Sequence, residues 1–179
     1  YQYSKWYFGN LAGLNFMTSP PTSMSGSMNT SEGCSTASDI NGNLLFYTDG
    51  STIWNQNHAV MPNGSNLGGN SSTTQSSNIV KQPGNSNIYY VFSLSVGASS
   101  TLFYSIVDMN LSAGLGSVTV NNVQVSSGNT EKLTSLRHCN GIDYWVLCVP
   151  TNSTVLNAYL LTAAGLNTVA LVSNLLGFN

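Results

Sequence analysis

Few side chains in this sequence can carry acid–base, nucleophilic or metal chemistry. The 179 residues include four Lys or Arg, six Asp or Glu and two His. Glycoside cleavage needs two carboxyl groups held at a fixed separation, and the acidic residues are spread along the chain. They are Glu32, Asp39, Asp49, Asp108, Glu131 and Asp143. No GxSxG motif presents a serine nucleophile, and no set of residues meets the requirements of a catalytic site. We expect a protein that is not an enzyme.

The rare charged side chains are concentrated around one predicted strand. Four lie on it and one lies near the equivalent strand of an earlier segment: Glu131, Lys132, Arg137 and His138, with Glu32. If the two strands line a common channel, these charges meet there and can hold a ligand. The alternative is that they pair with each other or cap backbone groups, as charges inside proteins usually do. These five residues are candidate channel or ligand contacts.

Trp54 is the aromatic residue for which a binding role can be argued. It lies between Ile53 and Asn55, with His58 nearby. An exposed Trp with amide neighbours is suited to stacking on a sugar ring. The alternative is core packing, because large aromatic residues in strands are usually buried. Trp54 and His58 are candidate glycan contacts.

Metal and disulfide chemistry have little support in the sequence. The segment 39–43 (DINGN) places oxygen ligands at alternate positions, as calcium loops do, but no bidentate Glu follows, and a turn already explains its Asn-Gly pair. Cys34, Cys139 and Cys148 have no CxxC spacing. We expect no metal and no cofactor. Cys148 lies in an apolar run and is expected to be a buried thiol. A disulfide between Cys34 and Cys139 is an alternative that the sequence does not decide.

Composition indicates an extracellular protein. Only 6% of the residues are charged, against roughly 25% in an average soluble domain, so Asn, Ser, Thr and Gly supply most of the polar surface. A net charge of −2 gives little protection against self-association. The scattered basic residues cannot form the patch that nucleic acid requires, and no apolar run is long enough to span a bilayer. The sequence begins without Met, which we interpret as a processed or truncated secreted or cell-surface chain.

The elements that must position these residues are predicted to be repeated β-strands. Three segments share an Asn-containing turn followed by an aromatic-rich strand, at 41–49, 85–93 and 140–147. Their spacing of about 45 to 55 residues is typical of propeller blades. Because Asn/Gly turns join the strands of hairpins, each aromatic segment is predicted to be the second strand of its unit.

Neighbouring segments complete the predicted units. First strands are predicted at 76–81 and 132–138, third strands at 101–107 and 154–160, and a fourth at 117–123. The fold class is therefore all-β, with about three four-stranded antiparallel blades of an incomplete β-propeller, since closed rings have about four to eight blades. The expected blades span about 1–66, 71–126 and 130–179.

Other segments are expected to be irregular. Residues 10–31 are predicted to run over the surface and 64–77 to connect blades. Glycine interrupts 111–116 and 161–166, which are predicted to be loops. A strand beginning at Leu171 is expected to continue. We expect Tyr89, Val91, Tyr144 and Val146 to be buried between blades, and Leu45, Tyr47, Leu160 and Val172 to lie on uncovered faces.

Several short strings carry a family resemblance. They are WYFGN at 6–10 with AGLNF at 12–16, TSEGC at 30–34, NGNLLFYTDG at 41–50 with IWN at 53–55 and MPNG at 61–64, YSIVDM at 104–109, and EKL at 131–133 followed by His138 and DYWV at 143–146. In combination they resemble the N-terminal propeller region of large secreted proteins of Bacteroidota. Such proteins typically end in a gliding-motility-associated C-terminal region that directs them through the type IX secretion system.

The resemblance implies a cell-surface or released protein used in adhesion, gliding or extracellular assembly, and it brings no catalytic residues. We expect a non-enzymatic structural or adhesive protein in which the propeller is a rigid interaction platform. The alternative is a glycan-binding module, and a propeller-fold hydrolase is less favoured. The expected partners are other blades or domains of the same polypeptide, further copies of the chain, or a surface polysaccharide or protein.

Overall fold

The computed structural model describes residues 3–174. Its strands are β1 (Lys5–Phe8), β2 (Asn10–Asn15), β3 (Thr22–Asn29), β4 (Ser35–Ser38), β5 (Leu44–Thr48), β6 (Ile53–Asn55), β7 (Ser77–Lys81), β8 (Ile88–Leu94), β9 (Ser100–Asp108), β10 (Ser117–Arg137), β11 (Tyr144–Pro150), β12 (Val155–Thr162), β13 (Gly165–Leu166) and β14 (Leu171–Asn174). The helical content of this range is one 3-10 turn, Ser112–Gly114. The expected all-β, antiparallel fold class is confirmed.

The strands form three antiparallel sheets. β1–β3 make one three-stranded sheet and β4–β6 make another. The third sheet has eight strands in the order β7-β8-β9-β10-β11-β12-β13, and β14 also pairs with β12. Three separate four-stranded sheets are therefore not observed. The segment 1–66 holds two small sheets, and the segments 71–126 and 130–174 share one large sheet.

The large sheet is continuous because β10 is unusually long. It has 21 residues, and its first part pairs with β9 from Ser117 to Asn129, while its second part pairs with β11 from Asn129 to Arg137. Several register shifts interrupt these pairings, and such bulges bend and twist a strand. The strands expected separately at 117–123 and 132–138 are thus two ends of a single strand.

The sheets pack face to face in chain order. One core lies between the first two sheets, a second lies between β4–β6 and the β7–β9 region, and a third lies between the β7–β9 region and β10–β12. Successive residues of a strand point to opposite faces, so Phe46 and Tyr47 of β5 belong to different cores and both are fully buried. Val91 and Phe92 of β8 likewise belong to different cores.

Burial agrees with the expectations for some of the strand residues and not for others. Tyr89, Val91 and Val146 are buried and Tyr144 is half-buried. Among the residues expected on uncovered faces, Val172 is 62% exposed, while Leu45 and Leu160 are half-buried. The expectation for Tyr47 was wrong because the β1–β3 sheet covers its face of β5.

The expectation of an irregular segment at 10–31 was also wrong, because β2 and β3 occupy most of it. These strands are rich in Gly, Ser and Asn, which have low strand propensity, and they are held by antiparallel pairing. Residues 64–76 contain no strand, as expected for a connection. Within residues 3–174 there is no helix of the length and apolarity needed to cross a membrane.

Strands β1, β4, β7 and β10 lie side by side in that order. β1 contacts β4, β4 contacts β7, and β7 contacts β10. These neighbours do not belong to a common ladder, so side chains must join them. The space between them is the candidate site.

Candidate functional site

A polar groove with a volume of about 730 Å³ lies between β4, β7 and the end of β10. Its lining consists of Ser35–Ser38, Asn78–Lys81, Ser135–Arg137, Tyr3, Tyr89 and Tyr144. Most of these residues offer hydroxyl or amide groups, and the charged ones, Lys81 and Arg137, are both cations. The groove is therefore polar, and the charged groups of its lining are positive.

Side-chain hydrogen bonds position the three strands that line the groove. The Ser35 hydroxyl donates to the Ser77 carbonyl at 2.8 Å, which joins β4 to β7. The Ser135 hydroxyl donates to Asn78 Oδ1 at 2.8 Å, and the Leu133 N–H donates to Gln75 Oε1 at 2.7 Å. Short polar side chains thus hold the strands apart at a fixed distance and leave the groove open between them.

Lys81 and Arg137 occupy equivalent places in two successive groups of strands. Lys81 lies at the end of β7 opposite Tyr89, and Arg137 lies at the end of β10 opposite Tyr144. Both also line the recess beside the turn that precedes β8. Both side chains therefore lie where a molecule bound in the groove can contact them.

The nearest carboxylates are engaged elsewhere. Asp39 Oδ1 accepts the N–H groups of Asn41 and Asn43 at 2.9 and 2.8 Å, and Oδ2 accepts from Asn43 Nδ2 at 2.9 Å. The side-chain bond from Asn43 is the main cause of a lowered pKa of Asp39, and backbone bonds from the same turn add to it. The Asp143 carboxylate accepts from Asn140 Nδ2 at 2.7 Å. Both acids stabilise turns beside the groove.

Ser38 lines the groove, but its hydroxyl oxygen is buried. The residue is 3% exposed, and among the described residues its Oγ has no hydrogen-bond partner. Buried hydroxyl groups are normally hydrogen-bonded. Because the oxygen is enclosed by protein, a molecule in the groove does not reach it without a local rearrangement.

Among the five predicted channel contacts, Arg137 lines the groove and the other four do not. Glu32 is exposed on the loop before β4, where its N–H donates to the Ser71 carbonyl at 3.2 Å. Lys132 is exposed on β10. His138 follows β10, its Nδ1 accepts the Asn140 N–H at 3.0 Å, and its ring lies 5.3 Å from that of Trp145. The charges that the sequence groups on one strand are not brought together.

Glu131 fastens two connecting segments to β10. Its Oε1 accepts the Gly97 N–H at 2.9 Å, and its Oε2 accepts the N–H and hydroxyl of Thr74 at 2.9 and 3.0 Å. The bond from Gly97 contributes most to a lowered pKa of the Glu131 carboxyl, followed by the backbone bond from Thr74, with a smaller contribution from the Lys132 charge. This geometry satisfies the carboxylate within the protein and gives Glu131 a structural role.

Trp54 and His58 belong to an aromatic cluster between the first two sheets. The Tyr47 ring stacks with Tyr7 at 4.6 Å and with Trp54 at 5.6 Å. The Tyr47 hydroxyl accepts the Ser27 N–H at 2.8 Å and is hydrogen-bonded to His58 Nδ1 at 3.1 Å. Burial raises the pKa of the Tyr7 and Tyr47 hydroxyls. Trp54 is half-buried, an arrangement typical of core packing.

The cysteines and acids do not assemble into a metal centre in the part of the chain that is described. Residues 3–174 contain no group of three or more His, Cys, Asp or Glu side chains placed to hold an ion. Cys34, Cys139 and Cys148 are free thiols, half-buried, exposed and buried in that order, so the Cys34–Cys139 disulfide is not formed. Burial raises the pKa of both Cys34 and Cys148, which keeps them as thiols at neutral pH.

Lys81 is the groove residue that sequence reasoning missed. The signal was the repeat itself, because Lys81 and Arg137 end equivalent first strands and face equivalent tyrosines across the turn. Charges grouped along one strand, near residue 131, do not meet, whereas equivalent positions at the ends of β7 and β10 line one groove.

Comparison with protein-family models, with curated proteins and with solved structures found no match to this chain. The resemblance to secreted Bacteroidota proteins stays a prediction. Any functional conclusion must therefore come from the geometry of the chain itself.

Proposed function

We propose that this chain is a propeller-like, non-enzymatic interaction platform of a secreted or cell-surface protein. The observation that carries the proposal is the polar groove at which β4, β7 and the end of β10 lie side by side. Blades of a propeller place their first strands around a common axis in the same way. The groove presents hydrogen-bonding groups on a rigid frame, which is what a binding platform requires.

The arrangement supports four blade-like groups in place of the three expected. They are β1–β3, β4–β6, β7 with β8, β9 and the first part of β10, and the second part of β10 with the remaining strands. In this proposal β10 is the connection from the outside of one blade to the centre of the next. The three inter-sheet cores follow chain order, as they do between consecutive blades.

Uncovered apolar side chains at both ends of the stack support further contacts. On the first sheet, Trp6 is 55% exposed and lies 5.1 Å from the Phe16 ring. At the other end, Leu171 and Val172 are exposed. Contiguous apolar surface often marks an interaction site. We propose that other blades or domains of the same polypeptide, or a surface partner, cover these faces.

We propose that the chain is not catalytic because its carboxylates are bonded to other groups of the protein. Glu131, Asp39 and Asp143 each accept hydrogen bonds from neighbouring backbone or amide groups, and none of them lines the groove. A pair of carboxyl groups facing a common substrate, which a glycosidase requires, is not found among the described groove residues. The alternative of a glycan-binding module is favoured by the hydroxyl groups and tyrosines of the same groove, and it is compatible with a platform.

The test is to measure binding and turnover on the same protein. The purified chain is screened on an array of surface polysaccharide fragments and incubated in parallel with chromogenic glycosides and peptide substrates. We expect retention of a ligand and no product. Turnover that disappears when a carboxylate of the chain is changed to its amide would contradict the proposal. In addition, antibodies against the chain should label intact source cells or detect it in the medium, and labelling that requires permeabilised cells would exclude a surface location.

A further inference from the structure

We propose that the groove binds a carboxylate-bearing sugar chain, with Lys81 and Arg137 contacting the carboxylates and the hydroxyl-rich lining contacting the sugar. This inference rests on the proposed function, because it names the ligand class of the same platform. It starts from two cations that line one groove and from the lack of a carboxylate in its lining.

The two cations are placed for a repeating anionic ligand. Lys81 and Arg137 end adjacent first strands and lie in register with Tyr89 and Tyr144. These two groups of strands therefore each present one cation beside one tyrosine. Charge-assisted hydrogen bonds to carboxylates are among the stronger polar contacts, and tyrosines offer apolar faces with a polar tip. A polymer with carboxylates at intervals matches this pattern.

Protein groups neutralise the site only in part. Asp39 lies in an adjoining recess that Lys81 also lines, and its charge offsets part of the Lys81 field there. The bonds from Asn41 and Asn43 hold this carboxylate against its own turn. Arg137 is exposed and has no carboxylate beside it in the groove lining. The groove lining therefore carries two positive charges and no negative one, in a protein whose net charge is −2.

The remaining groups of the lining favour a sugar. Ser35, Thr36 and Asn78 line the groove and can donate and accept hydrogen bonds. The volume of about 730 Å³ lies in the usual range for a small-molecule site. Two cations are too few to follow a nucleic-acid backbone.

An acidic peptide is the other macromolecular ligand to consider. Peptides commonly bind by adding a strand to an exposed sheet edge, and β4 and β7 are edge strands. Here some backbone groups beside the groove are already bonded to side chains, since the Ser77 carbonyl of β7 accepts from Ser35 and the Leu133 N–H of β10 donates to Gln75. The groove thus offers side chains in place of a free backbone edge, which favours the sugar.

The experiment is calorimetric titration of the purified chain with a short oligogalacturonate and with a malto-oligosaccharide of the same length, which lacks carboxylates. The variants are Lys81→Gln and Arg137→Gln, with charge-preserving Lys81→Arg and Arg137→Lys. Lys132→Gln is the matched control because Lys132 is an exposed cation of β10 outside the groove. Thermal unfolding of every variant checks that it is folded.

We expect the oligogalacturonate to bind and the neutral sugar to bind much more weakly. Lys81→Gln and Arg137→Gln should each weaken binding about tenfold, as expected for loss of a charge-assisted hydrogen bond, while the charge-preserving variants and Lys132→Gln retain it. Added salt should weaken binding because it screens exposed charges.

The inference is overturned if the wild-type chain does not bind the oligogalacturonate, if Lys132→Gln loses as much affinity as the groove variants, or if a poly-glutamate peptide binds more tightly than the sugar. In those cases the platform proposal survives when another ligand is retained on the array. Conversely, groove-dependent binding accompanied by shortening of the oligogalacturonate would support the groove as the binding site and contradict the non-enzymatic proposal.

Discussion

The Glu131 carboxylate illustrates how a charge can be conspicuous in the sequence and structural in the fold. It accepts three hydrogen bonds, from Gly97 and Thr74. We expect Glu131→Gln to lower the free energy of unfolding by about 1 kcal/mol at neutral pH, a value reduced for solvent exposure. The amide replaces one accepting oxygen by a donor that faces an N–H group. Urea unfolding measures the change.

The pH dependence of that loss has a defined sign. The folded pKa of Glu131 lies below the ordinary value of 4.5, so its contribution is full above pH 4.5 and is lost as the pH falls through the folded pKa. The difference between wild type and Glu131→Gln should therefore shrink below about pH 4.5. Glu32→Gln is the control, since Glu32 is exposed. A difference that grows with acidification would exclude the carboxylate bonds as its cause.

The Tyr47 hydroxyl is the polar centre of the first inter-sheet core. Tyr47→Phe leaves the stacked ring but removes the acceptor of the Ser27 N–H and the partner of His58. We expect the free energy of unfolding to fall by about 1 to 2 kcal/mol, because the hydroxyl of the fully buried Tyr47 makes both of these hydrogen bonds. Tyr104→Phe, in a different core, is the matched control. Equal effects of the two variants on chemical unfolding would show that the hydroxyl network contributes nothing specific.

The sequence identified individual residues less well than strands. Arg137 was predicted and lies in the groove, whereas Lys81 became visible only through its equivalence to Arg137 in the sheet register. Whether Glu131 faces a channel or a loop depends on Gly97 and Thr74, which lie far from it in sequence. Long-range contacts of this kind leave no local pattern, so no motif search can find them.

Within β10, Asn129 marks the point at which the strand exchanges one partner for another. It is opposite Ser100 of β9 and also opposite Pro150 of β11. Its side chain is fully buried, with Nδ2 donating to the Ser126 hydroxyl at 3.0 Å and Oδ1 accepting from the Cys148 thiol at 3.3 Å. The bonded amide allows a polar residue to sit inside the sheet at the junction.

We expect Asn129→Ala to destabilise the protein by about 2 to 3 kcal/mol, because it leaves buried polar partners without hydrogen bonds. Gln124→Ala, an exposed position of the same strand, should change stability by less than about 0.5 kcal/mol. The measurement is chemical unfolding followed by Trp fluorescence. A small effect at Asn129 would mean that the junction depends on backbone pairing alone.

Strand elements with strong patterns were predictable, and those without were not. The aromatic segments after Asn-containing turns became β5, β8 and β11, because alternation and turn chemistry act locally. β2 and β3 were missed because Gly, Ser and Asn carry little strand preference, and their pairing depends on the sheet beneath. The union of 117–123 and 132–138 into β10 was missed because the polar residues between them resemble a loop.

In the described residues 3–174, the stack of sheets leaves apolar side chains exposed at each end. Trp6 and Phe16 are 55% and 42% exposed on the first sheet, and Leu171 is 63% exposed at the other end. With only 6% charged residues, little electrostatic repulsion opposes association. We expect residues 1–179 on their own to associate in a concentration-dependent way, as measured by light scattering.

The double variant Trp6→Ser, Phe16→Ser should reduce this association, because it removes the neighbouring rings of the first sheet. Val96→Ser, at an exposed apolar residue of a turn, is the control and should leave association unchanged. A cooperatively unfolding monomer at all concentrations would contradict both the expected association and the proposal that other units cover these faces.

The shared strand β10 also determines which parts of the protein unfold together. The β7–β9 group and the β11–β14 group have one hydrogen-bonded strand in common, whereas β1–β3 meets the rest through side chains. Native-state deuterium exchange should therefore show the slowest amides of β8, β9 and β11 opening together with equal free energies, and those of β2 opening earlier. Independent exchange of β8 and β11 would contradict this coupling. Two successive groups that share a backbone strand form a single cooperative unit, so a force or a mutation that loosens one loosens the other.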